Sequence, residues 1–185
     1  MWQSVDTSCP EMVCVTKMFK IDASHMLPDY DGKCANLHGH TYTLITTFTG
    51  PVDPASGMVI DFGFIKELVG ENIVEELDHS CLNDIDWKLY GDLDADYQTA
   101  GFEDSMPTAE NMVVAIAHRI QALMHDNAYS HLCIGVALRA VHLYETADSY
   151  ASWLADDQRW ILLDGDLDTT ESEADFAEVG NERGE

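Results

Sequence analysis

Two stretches of alternating side chains meet at a group of histidines, and that meeting constrains the fold more than any other feature of the chain. In an extended strand successive side chains point to opposite faces, so residues two apart share a face. From Val13 to His25, the residues Val15, Phe19, Ile21 and Ala23 share the parity of His25, which reads as a strand ending on that histidine. A second strand is expected at 39–50, closed by Gly50-Pro51, with His38 and His40 aiming the same way at its start. If the two strands pair, His25 becomes the third member of a set able to reach one ion.

Three neutral imidazoles around zinc leave a fourth position open, the arrangement of a catalytic site; a structural zinc takes four protein ligands, often cysteines. The five cysteines (Cys9, Cys14, Cys34, Cys81, Cys133) include no C-x-x-C pair, and an odd number argues against a disulfide framework. The expectation is a reduced, cytoplasmic protein. An H-x-H pair alone also arises from packed or exposed histidines. Here it is joined by His25, by Gly39 between the two rings and by Cys34, four residues before His38. Cys34 is the candidate proton acceptor, because a cationic neighbour lowers a thiol pKa and favours the reactive thiolate. Lys33 and a bound zinc are the candidate sources.

The remainder reads as one α+β domain. Asp61 is a candidate N-cap, followed by Phe62, Ile65, Leu68, Val69, Ile73 and Leu77 at helical spacing, with Lys66, Glu67, Glu71 and Glu75 opposite. A second helix is expected after Pro107, capped by Thr108 and burying Met112, Val113, Ile116, Ile120 and Leu123. Cys133 to Glu145 reads as a third strand. Helices with one apolar stripe must cover a sheet, so an antiparallel sheet with both helices packed on one face follows from element order. No apolar run approaches the ~18–20 residues that span a bilayer, and Met1 to Met12 lacks the basic and apolar regions of a secretory signal.

Two further groups suit proton transfer or recognition. His79 follows Asp78 near the end of the first helix, and an imidazole beside a carboxylate is suited to shuttling protons; capping the helix C-terminus is the alternative. Glu145, at the end of the third strand, can receive two parallel N–H bonds from an aminopyrimidinone edge, although strand-end glutamates are common. Glu110 reads as a first-turn helix residue, outside the catalytic set.

Six motifs in order resemble the 6-pyruvoyltetrahydropterin synthase and 6-carboxytetrahydropterin synthase family. They are Phe19-Lys-Ile-Asp-Ala-Ser-His25, Cys34-x-x-x-His38-Gly-His40, Gly57-Met-Val-Ile-Asp61-Phe, Leu77-Asp78-His79-x-x-Leu82-Asn83, Pro107-Thr-Ala-Glu110-Asn111 and Glu145-Thr. The resemblance runs from about Val13 to Trp153. It implies the tunnelling fold, in which sheets of several subunits join into a homo-oligomeric barrel, usually a hexamer, with the active site between subunits. It implies zinc held by His25, His38 and His40, catalysis by Cys34, His79 and Asp78, and a pterin ring anchored by Glu145. The three-residue gap between Cys34 and His38 is similar to the 6-carboxy branch, which serves queuosine or archaeosine biosynthesis; the animal-type 6-pyruvoyl enzymes carry a longer gap, and a third branch has glutamate in place of the cysteine. The 6-pyruvoyl reaction is the alternative within the family, and a non-catalytic zinc-binding barrel scaffold the alternative outside catalysis. On this reading residues 1–12 are an N-terminal extension, 13–163 the synthase-like domain with an acidic insert at about 84–106, and 164–185 an acidic, mobile tail.

Charge fits less easily. The chain carries 34 acidic and 9 basic residues, a net charge of −25, and such a field slows the approach of an anionic substrate at low ionic strength. The acid is concentrated: Asp164 to Glu185 holds nine acidic residues against one arginine, and Asp84 to Asp104 seven against one lysine. A saline cell, where molar salt shortens the Debye length to about 3 Å, and solvated acidic segments are the two explanations. No basic stripe is available to neutralise nucleic-acid phosphates, which argues against direct binding of DNA or RNA. Lys17, Lys20, Lys33 and Arg139 are the few cations near the motifs and the candidates for phosphate contact.

Overall fold

A computed structural model describes residues 11–83 and 106–155. The N-terminal extension up to residue 10, nearly all of the acidic insert and the tail lie outside the described residues, as does Cys9.

Strand β1 (Met12–His25) pairs antiparallel with β2 (His38–Pro51) along its whole length, from Met12 opposite Pro51 to His25 opposite His38. Strand β3 (Ala137–Tyr144) pairs with β2, and β4 (Tyr150–Leu154) with β3, giving a four-stranded antiparallel sheet in the order β1-β2-β3-β4. The first two strands match the alternation of their sequences to within one residue. The third is shorter than expected. Gly135 takes a φ of +73°, and the Val136 N–H turns back to the Cys133 carbonyl at 2.9 Å, so pairing starts only at Ala137.

The first helix runs over 62–77 and starts on its expected cap, with Asp61 Oδ1 accepting from the Gly63 and Phe64 N–H groups at 2.6 and 3.1 Å. Its centre, Lys66–Val74, is wound as a π-helix, and the Glu75 N–H reaches back five residues to Gly70. Asn72 accounts for part of this widening. Its side-chain amide donates to the Glu67 and Leu68 carbonyls at 3.0 and 3.2 Å and lies 3.2 Å from the Tyr129 hydroxyl. Ile65, Leu68, Val69, Ile73 and Leu77 are buried as their spacing predicts, but Phe62 is 51% exposed and lies beneath the Lys17 ammonium. That residue stands at the mouth of the helix, before the stripe reaches the sheet.

The second helix (Ala109–His125) starts on Thr108, whose hydroxyl accepts from the Asn111 N–H at 3.3 Å, and buries Met112, Val113, Ile116, Ala117, Ile120 and Met124; Leu123 is half-buried. Both helices cover the sheet face that carries Ile21, Leu44, Phe48, Val141 and Leu143. Burying side chains of this size contributes about 1.5–3 kcal/mol each, so this layer is the main source of stability. The opposite sheet face carries Thr16, Lys20, Asp22, Thr41 and Thr43 together with the exposed Met18 and Tyr150. No helix among the described residues is long and apolar enough to cross a membrane.

Candidate active site

The β1–β2 register decides the site. His25 stands directly opposite His38, and Ala23 opposite His40, so all three imidazoles leave the sheet on the helix-covered face at one end. Gly39 makes this possible: a Cβ there would sit 3.2 Å from the Ala23 carbonyl oxygen, tighter than strands tolerate without shifting. The ring centroids are 4.6, 4.9 and 5.2 Å apart, and the ligand atoms all fall within 4.8 Å of one another.

The tautomers are set from behind. His25 Nδ1 lies 2.8 Å from the Pro107 carbonyl and His38 Nδ1 2.8 Å from the Asn36 carbonyl. A carbonyl only accepts, so each Nδ1 carries the proton and each Nε2 presents a lone pair to the cluster. His25 is 2% exposed, and the Nε2 atoms of His25 and His40 are both buried without a hydrogen-bond partner. Burial holds the pKa of His40 below its ordinary value against the opposing charge of Glu145, and the neighbouring His25 and His38 lower it further, so this ring stays neutral and able to coordinate.

Glu145, the residue after β3, brings its Oε1 to 3.3 Å from His25 Nε2 and 3.6 Å from His40 Nε2. The distances are short, but the orphaned nitrogens show that no hydrogen bond forms. The carboxylate oxygen faces the His25 nitrogen lone pair, an arrangement of acceptors that a cation relieves. The donor set therefore fits a divalent metal: three converging imidazoles, two of them with fixed outer hydrogen bonds, and a negative group alongside.

The remaining candidates are placed elsewhere. Cys34 sits in a short 3-10 turn (Lys33–Ala35), half-buried, with its carbonyl accepting from the Leu27 N–H at 2.8 Å. Its sulfur is not among the converging donor atoms. It differs from Cys133, which is fully buried and whose thiol burial pushes up to about 11. Asp78 and His79 lie along the outer edge of β1, at the start of a segment that bridges to it at Ser24–Cys81. The Asp22 N–H donates to Asp78 Oδ1 at 2.8 Å, His79 N–H donates to the Asp22 carbonyl at 2.6 Å, and His79 Nδ1 is 2.9 Å from Asp78 Oδ2. The Asp22 N–H holds the Asp78 carboxyl below its usual range, outweighing partial burial, and the bond to His79 adds to it.

His79 is 78% exposed and adopts a φ of +60°, a left-handed conformation that a non-glycine residue takes at a cost. With Asp22, Ser24 and Thr41 it lines an open cleft of about 440 Å³, which His40 also borders. Those three β-residues have the parity opposite to the histidine triad. The structure thus brings the three histidines and Glu145 together, and sets Asp78–His79 at the strand edge beside them.

Sequence reasoning missed the outer supports. Pro107 and Asn36 act through backbone carbonyls, which carry no side-chain signature. Asn83 clamps the chain just past His25, its amide spanning both the N–H and the carbonyl of Met26 at 2.8 Å. Its place in the Leu82-Asn83 motif was the available signal. Tyr42, two residues beyond His40 on the same face, was missed as well.

A sheet of this topology, backed by two helices and ending in three convergent histidines able to hold a metal ion, defines a class of small α+β proteins. The chain belongs to the 6-pyruvoyl tetrahydropterin synthase family, whose pattern matches residues 14–155. It is 40% identical over 76 residues to a 6-carboxy-5,6,7,8-tetrahydropterin synthase of Haemophilus influenzae, a stretch covering 40% of this chain and 54% of that protein. It is 34% identical over 111 residues to the Rickettsia conorii protein of the same name, covering 59% of this chain and 80% of that one. A 6-pyruvoyl tetrahydrobiopterin synthase of Pongo abelii is 38% identical over 117 residues, covering 62% and 66%. The Caenorhabditis elegans 6-pyruvoyl tetrahydropterin synthase shares the fold, with a TM-score of 0.59 at 23% identity over 79% of this chain and 97% of that one. The tunnelling-type fold implied by the motifs is therefore the one observed.

Proposed function

We propose that this protein is a zinc-dependent tetrahydropterin synthase of the 6-carboxy type. On this reading it converts 7,8-dihydroneopterin triphosphate and one water to 6-carboxy-5,6,7,8-tetrahydropterin, acetaldehyde and triphosphate, a step toward 7-deazaguanine nucleosides such as queuosine or archaeosine. The observation that carries it is the pair of buried, unpartnered Nε2 atoms on His25 and His40, facing His38, with the tautomers of His25 and His38 fixed for coordination.

Zinc held by His25, His38 and His40 supplies Lewis-acid polarisation of a substrate side-chain hydroxyl, which makes the adjacent C–H and C–C bonds easier to break. Cys34 takes the proton released from the side chain. His79, oriented through Nδ1 by Asp78, carries a proton to or from the opposite side. Glu145 receives the N–H groups of the pterin ring. Cys34 and His79 lie on a loop and at a strand edge, and a homo-oligomeric barrel, the hexamer usual for the family, would bring edges of neighbouring sheets together and complete the pocket.

The competing 6-pyruvoyl reaction is favoured by the likeness to the Pongo abelii protein. The three-residue gap between Cys34 and His38 favours the 6-carboxy reaction. Product analysis separates them. Incubation with 7,8-dihydroneopterin triphosphate should release acetaldehyde and triphosphate, and zinc chelation should abolish both. Triphosphate without acetaldehyde would assign the 6-pyruvoyl reaction, and no turnover by the zinc-loaded protein would leave a scaffold.

A further inference from the structure

Tyr42 is the one buried polar group of the site that neither the metal nor the proposed chemistry uses. It is 0% exposed, yet its hydroxyl has no hydrogen-bond partner. Its ring stands 5.4 Å from that of His40 and 6.0 Å from that of His25. The register explains what it faces. Thr43 pairs with Tyr144 as the last pair of the β2–β3 ladder, so Tyr42 and Glu145 are the next residues beyond it and share the parity of the helix-covered side. The Tyr42 hydroxyl is an O–H donor without an acceptor, on the same side of the sheet as the Glu145 carboxylate.

We propose that Tyr42 is a positioning residue for Glu145: once a metal ion occupies the three imidazoles, the phenol donates to the carboxylate and holds it turned toward the substrate ring. This rests on the reading of the histidines as a zinc site. Two features support it. His25 Nε2 cannot serve Glu145 as a donor, because His25 carries its proton on Nδ1, bonded to Pro107, and His40 Nε2 makes no hydrogen bond. A buried hydroxyl left unpaired destabilises a fold, so its retention beside the site calls for a state in which it is paired.

Tyr42→Phe removes the hydroxyl and keeps the ring. In the metal-free protein the orphan is lost, and the melting temperature should rise by about 2–4 °C. In the zinc-loaded protein, where the pair exists in the wild type, that gain should vanish or reverse; in a Glu145→Ala background, which lacks the acceptor, the reversal should be absent. With 7,8-dihydroneopterin triphosphate the variant should raise KM about tenfold with little change in kcat, and Tyr42→Phe should add nothing to Glu145→Ala, as coupled residues require.

A Tyr42→Phe protein destabilised equally with and without zinc would make the hydroxyl an ordinary structural group and overturn the assignment. So would a Glu145→Gln protein that loses zinc affinity tenfold or more, which would put the carboxylate on the metal. If the wild type fails to turn over the pterin while the zinc-dependent thermal pattern holds, the synthase reading falls and the Tyr42–Glu145 pair stands. If the wild type turns over and the thermal pattern is absent, the pair alone falls.

Discussion

The two halves of the site are built in different ways. The histidine triad belongs to the interior of the sheet: each ligand sits on a paired strand, two are locked through Nδ1 by backbone carbonyls, and His25 is buried. Cys34 and the Asp78–His79 pair occupy a loop turn and a strand edge, and His79 projects into solvent. A metal cradle needs distances fixed in advance of the ion, which strand register supplies. The groups proposed to move protons would need access to a substrate, and elements at edges and in loops provide it.

The largest expected effects test this division directly. His25→Ala should abolish stoichiometric zinc binding and lower kcat/KM by roughly a thousandfold, since a Lewis acid contributes several kcal/mol to the transition state. Cys34→Ala should lower kcat by about 10²–10⁴, the usual contribution of a general acid or base, while metal analysis still finds one zinc per chain. A Cys34 variant without zinc would erase the boundary between the two halves.

The same division explains what could be read in advance. Parity is a local property of a strand, so the alternation of Ile21, Ala23 and His25 and the spacing of His38 and His40 were enough to place three ligands on one face. The caps Asp61 and Thr108 were legible because their side chains do the capping. The π-winding of 66–74 was not, because Leu68, Val69 and Ile73 satisfy an α-helical stripe just as well, and the distinction lies in which carbonyl each N–H finds. The short β4 was missed as a separate element; its five residues alternate only weakly in burial and depend on β3 for pairing. The placement of Glu145 near the imidazoles required the β2–β3 register, which no local pattern contains.

A smaller effect separates the strand edge from the interior by pH. The Asp78 carboxyl is held below its usual pKa by the Asp22 N–H and His79. A group depressed in the folded state adds stability that is present above its unfolded pKa and is lost as pH falls through the folded one. At neutral pH the wild type should melt above Asp78→Asn, and the gap should close as pH drops from about 5 toward 3. Melting curves at pH 7 and pH 3 decide it, and a gap that is constant across that range would mean that the edge is held by packing and not by the ionised carboxylate.

The smallest expected effect lies outside both halves and calibrates them. Asp61 caps the first helix with two hydrogen bonds and touches neither the histidines nor the strand edge. Replacing such a cap by alanine costs about 0.5–2 kcal/mol, or a few degrees in a chain of this size. Asp61→Ala should therefore lower the melting temperature by about 2–6 °C with zinc content and KM unchanged. The helix it starts ends immediately before Asp78 and His79. If the cap variant instead raises KM, the π-wound helix transmits its own stability to the strand edge, and the edge group depends on that helix as closely as the triad depends on the sheet.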